Sequence, residues 1–246
     1  MKVLIGTPTA GGIAKIQYST SVLACANAVA EAGGTCELVT FDGAHLVIAR
    51  NYIAHCALSD PAITHVLSLD SDMDVDIEVF RRLIAANVDL VAAVYTERGM
   101  DLQAFANDLA ANRNPGRATA RAARFTATVE EGELTVRNHL CKLKNTALGC
   151  SLIRRSVFER IIATGQVKPF ICRKLRDMGL TGEMWDFFAE SAAPQGGILS
   201  EDYSFCERAK AAGITLTGYV GPGVGHVGSF TYEGPFIERL KTGRVS

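Results

Sequence analysis

The sequence predicts an α/β protein built on a mostly parallel central sheet, with a small antiparallel β element added in its second half. Three observations predict it. Across residues 2–94, short apolar runs alternate with segments of helical spacing, joined by short connections, which is the order of a parallel, doubly wound sheet. The runs are nearly continuous in apolar residues, as expected of strands covered on both faces. Beyond residue 99 the alternation breaks up, and strand-like pieces gather around turn signals.

The elements follow in order. Residues 2–7 (KVLIGT) form a first strand and 8–12 (PTAGG) a turn. A helix runs from Ile13 or Ile16 to Ala32, with Ile16, Val22, Leu23, Ala26, Val29 and Ala30 on one apolar face, and Gly33-Gly34 stops it. Residues 36–41 give a second strand centred on Leu38 and Val39. A helix over 45–58 turns Ile48, Ala49, Tyr52, Ile53 and Cys56 inward and Arg50 and Asn51 toward the opposite side. A third strand covers 65–69, a helix 76–86 buries Val79, Phe80, Leu83 and Ile84, and a fourth strand covers 88–94. A short helix over 101–111 stops near Asn112, followed by a loop containing Arg113, Arg117, Arg121 and Arg124 and no acid. Residues 125–129 and 134–138 read as a hairpin around Glu131-Gly132. Strand character continues over 140–153, and a helix covers 155–164. After a mixed stretch (168–177) and a loop-rich one (179–197), Ser200 caps a helix over 201–212 that ends at Gly213. A last strand (215–219), a glycine-rich loop (221–228) and a tail to Ser246 complete the chain.

A chain of 246 residues can bury one substantial core, so a single domain over 1–246 is expected. A net charge of −1 gives no global attraction to nucleic acid or to a membrane surface. The N-terminus lacks the apolar region and cleavage site of a secretory signal, and no run reaches the roughly 18 apolar residues of a membrane span. The seven cysteines are odd in number and lack a C-x-x-C pair, which fits reduced thiols in a cytoplasmic protein.

Chemistry concentrates in THVLSLDSDMD (64–74). The carboxyl end of a strand in an α/β sheet is where such folds present ligands, and Asp70 and Asp72 put hard oxygen atoms there. The same letters also describe a solvated turn with Asp74 capping the next helix. Farther on, Glu201 and Asp202 begin a helix, where the dipole favours acids and where an oriented carboxylate can accept a hydroxyl proton. His226, among glycines, offers an imidazole that could complete a mixed oxygen and nitrogen coordination sphere.

Taken in order, the Thr7-Pro8 turn, IARN (48–51), HVLSLDSDM (65–73), ALGCSLIRRSVFERI (147–161), WDFF (185–188), SEDYSFCERAKAAG (200–213) and GHVGS (225–229) resemble the GT-A fold glycosyltransferases near glycosyltransferase family two. The resemblance implies a nucleotide-binding half over 1–98 and an acceptor-binding half with the tail over 99–246. It implies transfer of a sugar from a UDP- or GDP-type nucleotide sugar to a hydroxyl acceptor: a glycan, a lipid-linked sugar, a protein or a modified nucleic acid. Asp70, Asp72 and His226 would hold Mn²⁺ or Mg²⁺, with the imidazole tipping the choice toward Mn²⁺. Asp202, or Glu201, would be the base of an inverting displacement. Thr7, Pro8, Asp42, Arg50, Asp70, Ser71, Gly149 and Cys150 would line the donor, and Trp185 with Asp186 would meet the acceptor. Many members of that family carry a more acidic loop after the second strand than Phe41-Asp42-Gly43.

Two rivals stand beside this expectation. A nucleotidyltransferase or pyrophosphorylase would also use carboxylates on a nucleotide, but it usually has a basic glycine-rich loop after its first strand, where this chain has only Lys15. A non-catalytic nucleotide-sugar-binding module would not need the acids in catalytic order.

Overall fold

The computed structural model describes residues 1–43, 45–130, 134–177, 182–228 and 231–241. The first half alternates as the pattern predicts, except for the added short strand β4: β1 (Lys2–Thr9), α1 (Ile16–Glu31), β2 (Thr35–Asp42), α2 (Leu46–Ser59), β3 (His65–Leu69), β4 (Met73–Val75), α3 (Ile77–Ala86) and β5 (Leu90–Ala93). An excursion follows through β6 (Thr96–Met100), α4 (Leu102–Asn112), α5 (Pro115–Ala122), β7 (Ala123–Phe125) and β8 (Ala127–Thr128). The chain returns through β9 (Leu140–Lys142), β10 (Asn145–Thr146), β11 (Cys150–Arg154) and α6 (Arg155–Ala163). Short pieces come next: β12 (Pro169–Phe170), α7 (Arg173–Asp177), β13 (Met184–Trp185), β14 (Ser191–Ala192) and β15 (Ile198–Leu199). The last elements are α8 (Glu201–Ala211), β16 (Leu216–Tyr219), β17 (Val224–Val227), β18 (Thr231–Glu233) and α9 (Phe236–Leu240).

The central sheet has seven strands in the order β2-β1-β3-β11-β5-β16-β9. Strands β2, β1, β3, β5 and β16 run one way; β11, wedged between β3 and β5, and β9 at the edge run the other. Alternation along the strands divides the core into two layers. Val3, Ile5, Leu67 and Leu69 face α1 and α3, whereas Leu4 and Val66 face α2, α6 and α8. Packing α2 onto β1 requires glycine at position 6, because a Cβ there would collide with the Ile53 side chain. Small antiparallel ladders surround the sheet, among them β18-β17-β4 and the β6-β7 pair.

Several expectations change. On α1 the buried side chains are Tyr18, Ser21, Cys25, Ala28 and Val29, while Ile16 and Leu23 point to solvent at 76% and 65% exposure. Small residues on both faces blur the period, and Ser21 decides the rotation: its hydroxyl accepts from Val75 N–H at 2.8 Å and so ties α1 to β4. On α2, Arg50 and Asn51 are buried rather than outward. Asp74 does not cap α3. It lies in β4 opposite Gly225, and Asp76 occupies the cap position. The middle of the arginine-rich stretch, with Arg117 and Arg121, is a helix, α5, begun by Asn114, whose side chain accepts from Arg117 N–H at 3.0 Å, and by Pro115 in its first turn; Arg113 ends α4 and Arg124 lies in β7. Arg121 pairs with Asp108 of α4. The hairpin expected at 125–138 is not formed: β7 pairs with β6 and β8 with β10, and its apex at 131–132 lies outside the described residues. The glycine-rich stretch after β16 contains a strand, β17, which carries His226. Its last residue, Gly228, is described, but Ser229 and the tail from 242 to 246 lie outside the described residues.

Gly6→Ala is expected to cost about 1–3 kcal/mol in a urea titration. Ile53→Ala in the same chain should recover part of that loss, because the two positions share one contact.

Candidate functional site

The site starts from Arg50. Its position on α2 points the side chain beneath the carboxyl end of β3, where it is 3% exposed. A buried guanidinium needs compensating charge and hydrogen bonds, and the end of β3 and the start of α8 supply them. Nη1 donates to Ser68 Oγ at 2.9 Å, and Nη2 donates to Asp70 Oδ2 at 3.3 Å. Nε lies 3.1 Å from Asp202 Oδ1 on α8 and 3.8 Å from Glu201 Oε1. The 3.1 Å approach is an ion pair, but it is misaligned as a hydrogen bond, so Asp202 Oδ1 has no directed donor. The other oxygen, Oδ2, accepts from Leu148 N–H at 3.0 Å.

The electrostatics follow from this burial. Arg50 is held above its usual range: desolvation opposes its charge, but the groups around it, led by Asp202 and Asp70 with Tyr95 and Glu201, outweigh that penalty. Burial pushes Asp202 up to about 6; Arg50 and the Leu148 amide pull it down, while Glu201 and Asp70 push it further up. Tyr95, buried beside the same carboxylates, is raised well above its ordinary value, chiefly by desolvation.

Asp70 N–H donates to the Gly149 carbonyl at 2.8 Å. A Cβ at Gly149 would stand 2.7 Å from Asp70 Oδ2 and collide with the Tyr95 hydroxyl, so glycine is required where β11 begins. Cys150, next to it, is fully buried, and burial pushes its thiol up to about 12.

Over this layer lies a cavity of about 410 Å³ lined by Pro8, Thr9, Ala10, Gly43, Leu46, Asp70, Ser71, Asp72, Tyr95, Arg98 and His226. That is within the size range of small-ligand sites. His226 Nδ1–H donates to the Thr96 carbonyl at 2.9 Å, which leaves Nε2 as the acceptor of the neutral ring, 3.5 Å from Asp72 Oδ2. Burial lowers His226 below its ordinary value and keeps it neutral. Arg98 pairs with the same Asp72 oxygen. A larger cavity, about 710 Å³, lies between α5 and the β18–α9 connection, but its lining includes none of the acids or the histidine described above. The chemistry therefore centres on the smaller cavity.

The expected residues divide into those brought together and those used elsewhere. Pro8, Asp70, Ser71, Asp72 and His226 share the cavity wall. Arg50 lies behind that wall, joining Asp70 to Asp202, and Glu201 flanks it. Thr7 is fully buried, with its hydroxyl 2.7 Å from that of Tyr18, so it faces the core and not the cavity. Asp42 accepts from Gly12 N–H at 2.9 Å and closes the turn after β1. Trp185 is half-buried against the main core on the β12–β13 ladder, and Asp186 accepts from Lys168 N–H within the same hairpin. Neither lines the cavity.

The ligand set expected for a metal is only partly assembled. Among the described residues no three His, Cys, Asp or Glu side chains stand close enough to hold one, because Asp70 is turned to Arg50. Asp72 and His226 do fit a cation between them, since a neutral imidazole lone pair faces a carboxylate oxygen. Carboxylates that hold Mg²⁺ commonly share it with substrate phosphates. Tyr95 and Arg98 escaped the sequence reading. Their signal was present: both follow the carboxyl end of β5, as Asp70 follows β3.

No family model matches the chain, and a comparison with curated proteins finds no match. Among solved structures, the crystal structure of A197 from STIV matches with a TM-score of 0.47 and 13% identity, over 92% of this chain and 86% of that one.

Arg50→Met leaves the buried Asp202 and the half-buried Asp70 without the cation they share, and a loss of about 3–5 kcal/mol in urea unfolding is expected. For Asp202 the raised value means that the native state binds the proton more tightly than the unfolded chain, whose value is near 3.8. Stability contributed by protonated Asp202 is therefore lost as pH rises between about 4 and 6. Asp202→Asn removes that dependence, so its Tm relative to the parent should climb across this window and level off by pH 7.

Proposed function

We propose that the protein is a glycosyltransferase that moves a sugar from a nucleoside-diphosphate sugar to a hydroxyl acceptor, with Asp202 as the base. The observation that carries this reading is the single guanidinium of Arg50, which contacts both the acid on the cavity wall, Asp70, and the acid at the start of α8, Asp202. It fixes the distance between a donor-side carboxylate and a proton acceptor.

The chemistry supports each role. A hydroxyl is a weak nucleophile, and a carboxylate with a value near 6 is a stronger base than an ordinary aspartate while still ionised at neutral pH. Asp202 Oδ1, ion-paired with Arg50 but without a directed hydrogen-bond donor, is the oxygen left to accept that proton, and the Leu148 amide holds Oδ2 in place. Once protonated, Asp202 no longer draws on Arg50, whose charge then rests on Asp70 and Ser68. Glu201, the other acid beside Arg50, stands as the alternative base. Pro8, Thr9, Gly43 and Leu46 offer a mostly apolar wall for a nucleoside, and Ser71, Asp72 and His226 a polar one for its phosphates. Mn²⁺ or Mg²⁺ held by Asp72 and His226, with Asp70 on the same wall, would neutralise charge on the departing diphosphate, and the imidazole favours Mn²⁺. A phosphate-loop enzyme is less well supported, because the β1 side of the cavity presents Pro8, Thr9 and Ala10 without a cation.

A thermal-shift panel of nucleoside diphosphates and nucleotide sugars, with and without Mn²⁺, should give a metal-dependent rise in Tm for one nucleotide. Asp202→Asn is expected to keep that rise while transfer falls about 10²–10⁴-fold. In the parent, kcat/KM should increase with pH through about 6. Unchanged turnover in Asp202→Asn would remove the base assignment, and an absence of any shift across the panel would remove the donor class.

A further inference from the structure

Arg98 is the one lysine or arginine among the described residues lining the 410 Å³ cavity, and it is spent on Asp72. The reason lies in His226. With Nδ1–H committed to the Thr96 carbonyl, the Nε2 lone pair faces Asp72 Oδ2 at 3.5 Å. Two electron-rich atoms are held against each other, and the pair is tolerable only with positive charge beside it. Arg98 supplies that charge through the same Asp72 oxygen.

The backbone beneath Arg98 is suited to release it. β6 pairs with β7 at Thr96↔Phe125 and Met100↔Ala123, with a register irregularity between, so Glu97, Arg98 and Gly99 are spanned by the ladder rather than fixed in it. Nothing stands within 4 Å of where a Cβ on Gly99 would lie, and the Arg98 side chain is 48% exposed. The guanidinium can therefore swing within the cavity mouth while both ends of β6 stay paired.

From these contacts we infer that Arg98 is an exchangeable internal counter-ion. It neutralises Asp72 and His226 in the free protein, leaves Asp72 when a divalent cation takes that carboxylate, and turns onto the diphosphate that arrives with it. The inference rests on the sugar-nucleotide reading for the identity of the diphosphate, but not for the exchange at Asp72. Arg98 and the cation are alternatives at one oxygen and partners at the phosphate.

Calorimetric titration separates those two effects, using Mn²⁺ alone and then inorganic pyrophosphate in saturating Mn²⁺. Arg98→Ala should bind Mn²⁺ alone about tenfold more tightly than the parent and bind pyrophosphate about tenfold more weakly, in line with a charge-assisted hydrogen bond lost at each partner. Arg98→Lys should restore most of the pyrophosphate affinity. A purely structural role would move both affinities the same way, and that result overturns the inference. So does an unchanged Mn²⁺ affinity, or no Mn²⁺ binding by either protein. If the opposed shifts occur but no nucleotide sugar binds, Arg98 keeps its role and the sugar-transfer reading fails. If a nucleotide sugar binds and Arg98→Ala leaves Mn²⁺ affinity unchanged, only the role of Arg98 fails.

Discussion

The structure depends on one buried guanidinium. Arg50 joins α2 to the end of β3 through Ser68 and Asp70 and to the start of α8 through Asp202. A charge out of water at this cost persists only where its partners are held in place, and the packing around it holds them. Phe205 on α8 stacks on Phe188 with ring centroids 4.6 Å apart, while Phe158 of α6 meets both Phe187 and Phe205. The Phe188 amide donates to Asn51, the neighbour of Arg50 on α2. The aromatic core thus positions the acid that Arg50 meets.

The same arrangement explains the unequal environments of the two acids. Asp70 keeps part of its side chain at the cavity, whereas Asp202 sits deeper and loses more solvation. Burial raises the proton affinity of Asp202 even though the Arg50 guanidinium lies against it. The cavity floor is therefore a layer of fixed charge, and its surface, with Ser71, Asp72, Arg98 and His226, is the part able to rearrange.

The first half of the fold was legible because continuous apolar runs and helical spacing leave little choice from β1 to β5. The acids of the site were legible from position: Asp70 follows a strand, and Asp202 follows a capping serine. Arg50 was misplaced because a helical wheel assigns a charged residue to solvent, and only tertiary partners reverse that. Thr7 and Trp185 were placed near ligand by the resemblance, which carries over a position in the chain but not the side toward which its side chain packs. Helix α5, inside the arginine-rich stretch, hid behind a count of charges; Asn114-Pro115, a cap followed by a first-turn proline, was the readable sign. The placement of β11 had no local signal at all, since strand order is set by pairing between distant segments.

That placement has a consequence for how the molecule is made. Strands β3 and β5 are close in sequence but are not neighbours in the sheet, because β11 fills the gap between them. A chain emerging from the ribosome holds an open slot in its sheet until residue 154 has been synthesised, and unpaired edges on both sides of the slot are exposed for that time. Closing it is a long-range event and so is expected to be a slow one. The segment that closes the slot also delivers Gly149 against Asp70 and presents the Leu148 amide to which Asp202 later docks, while β16 and β9 complete the sheet only afterwards.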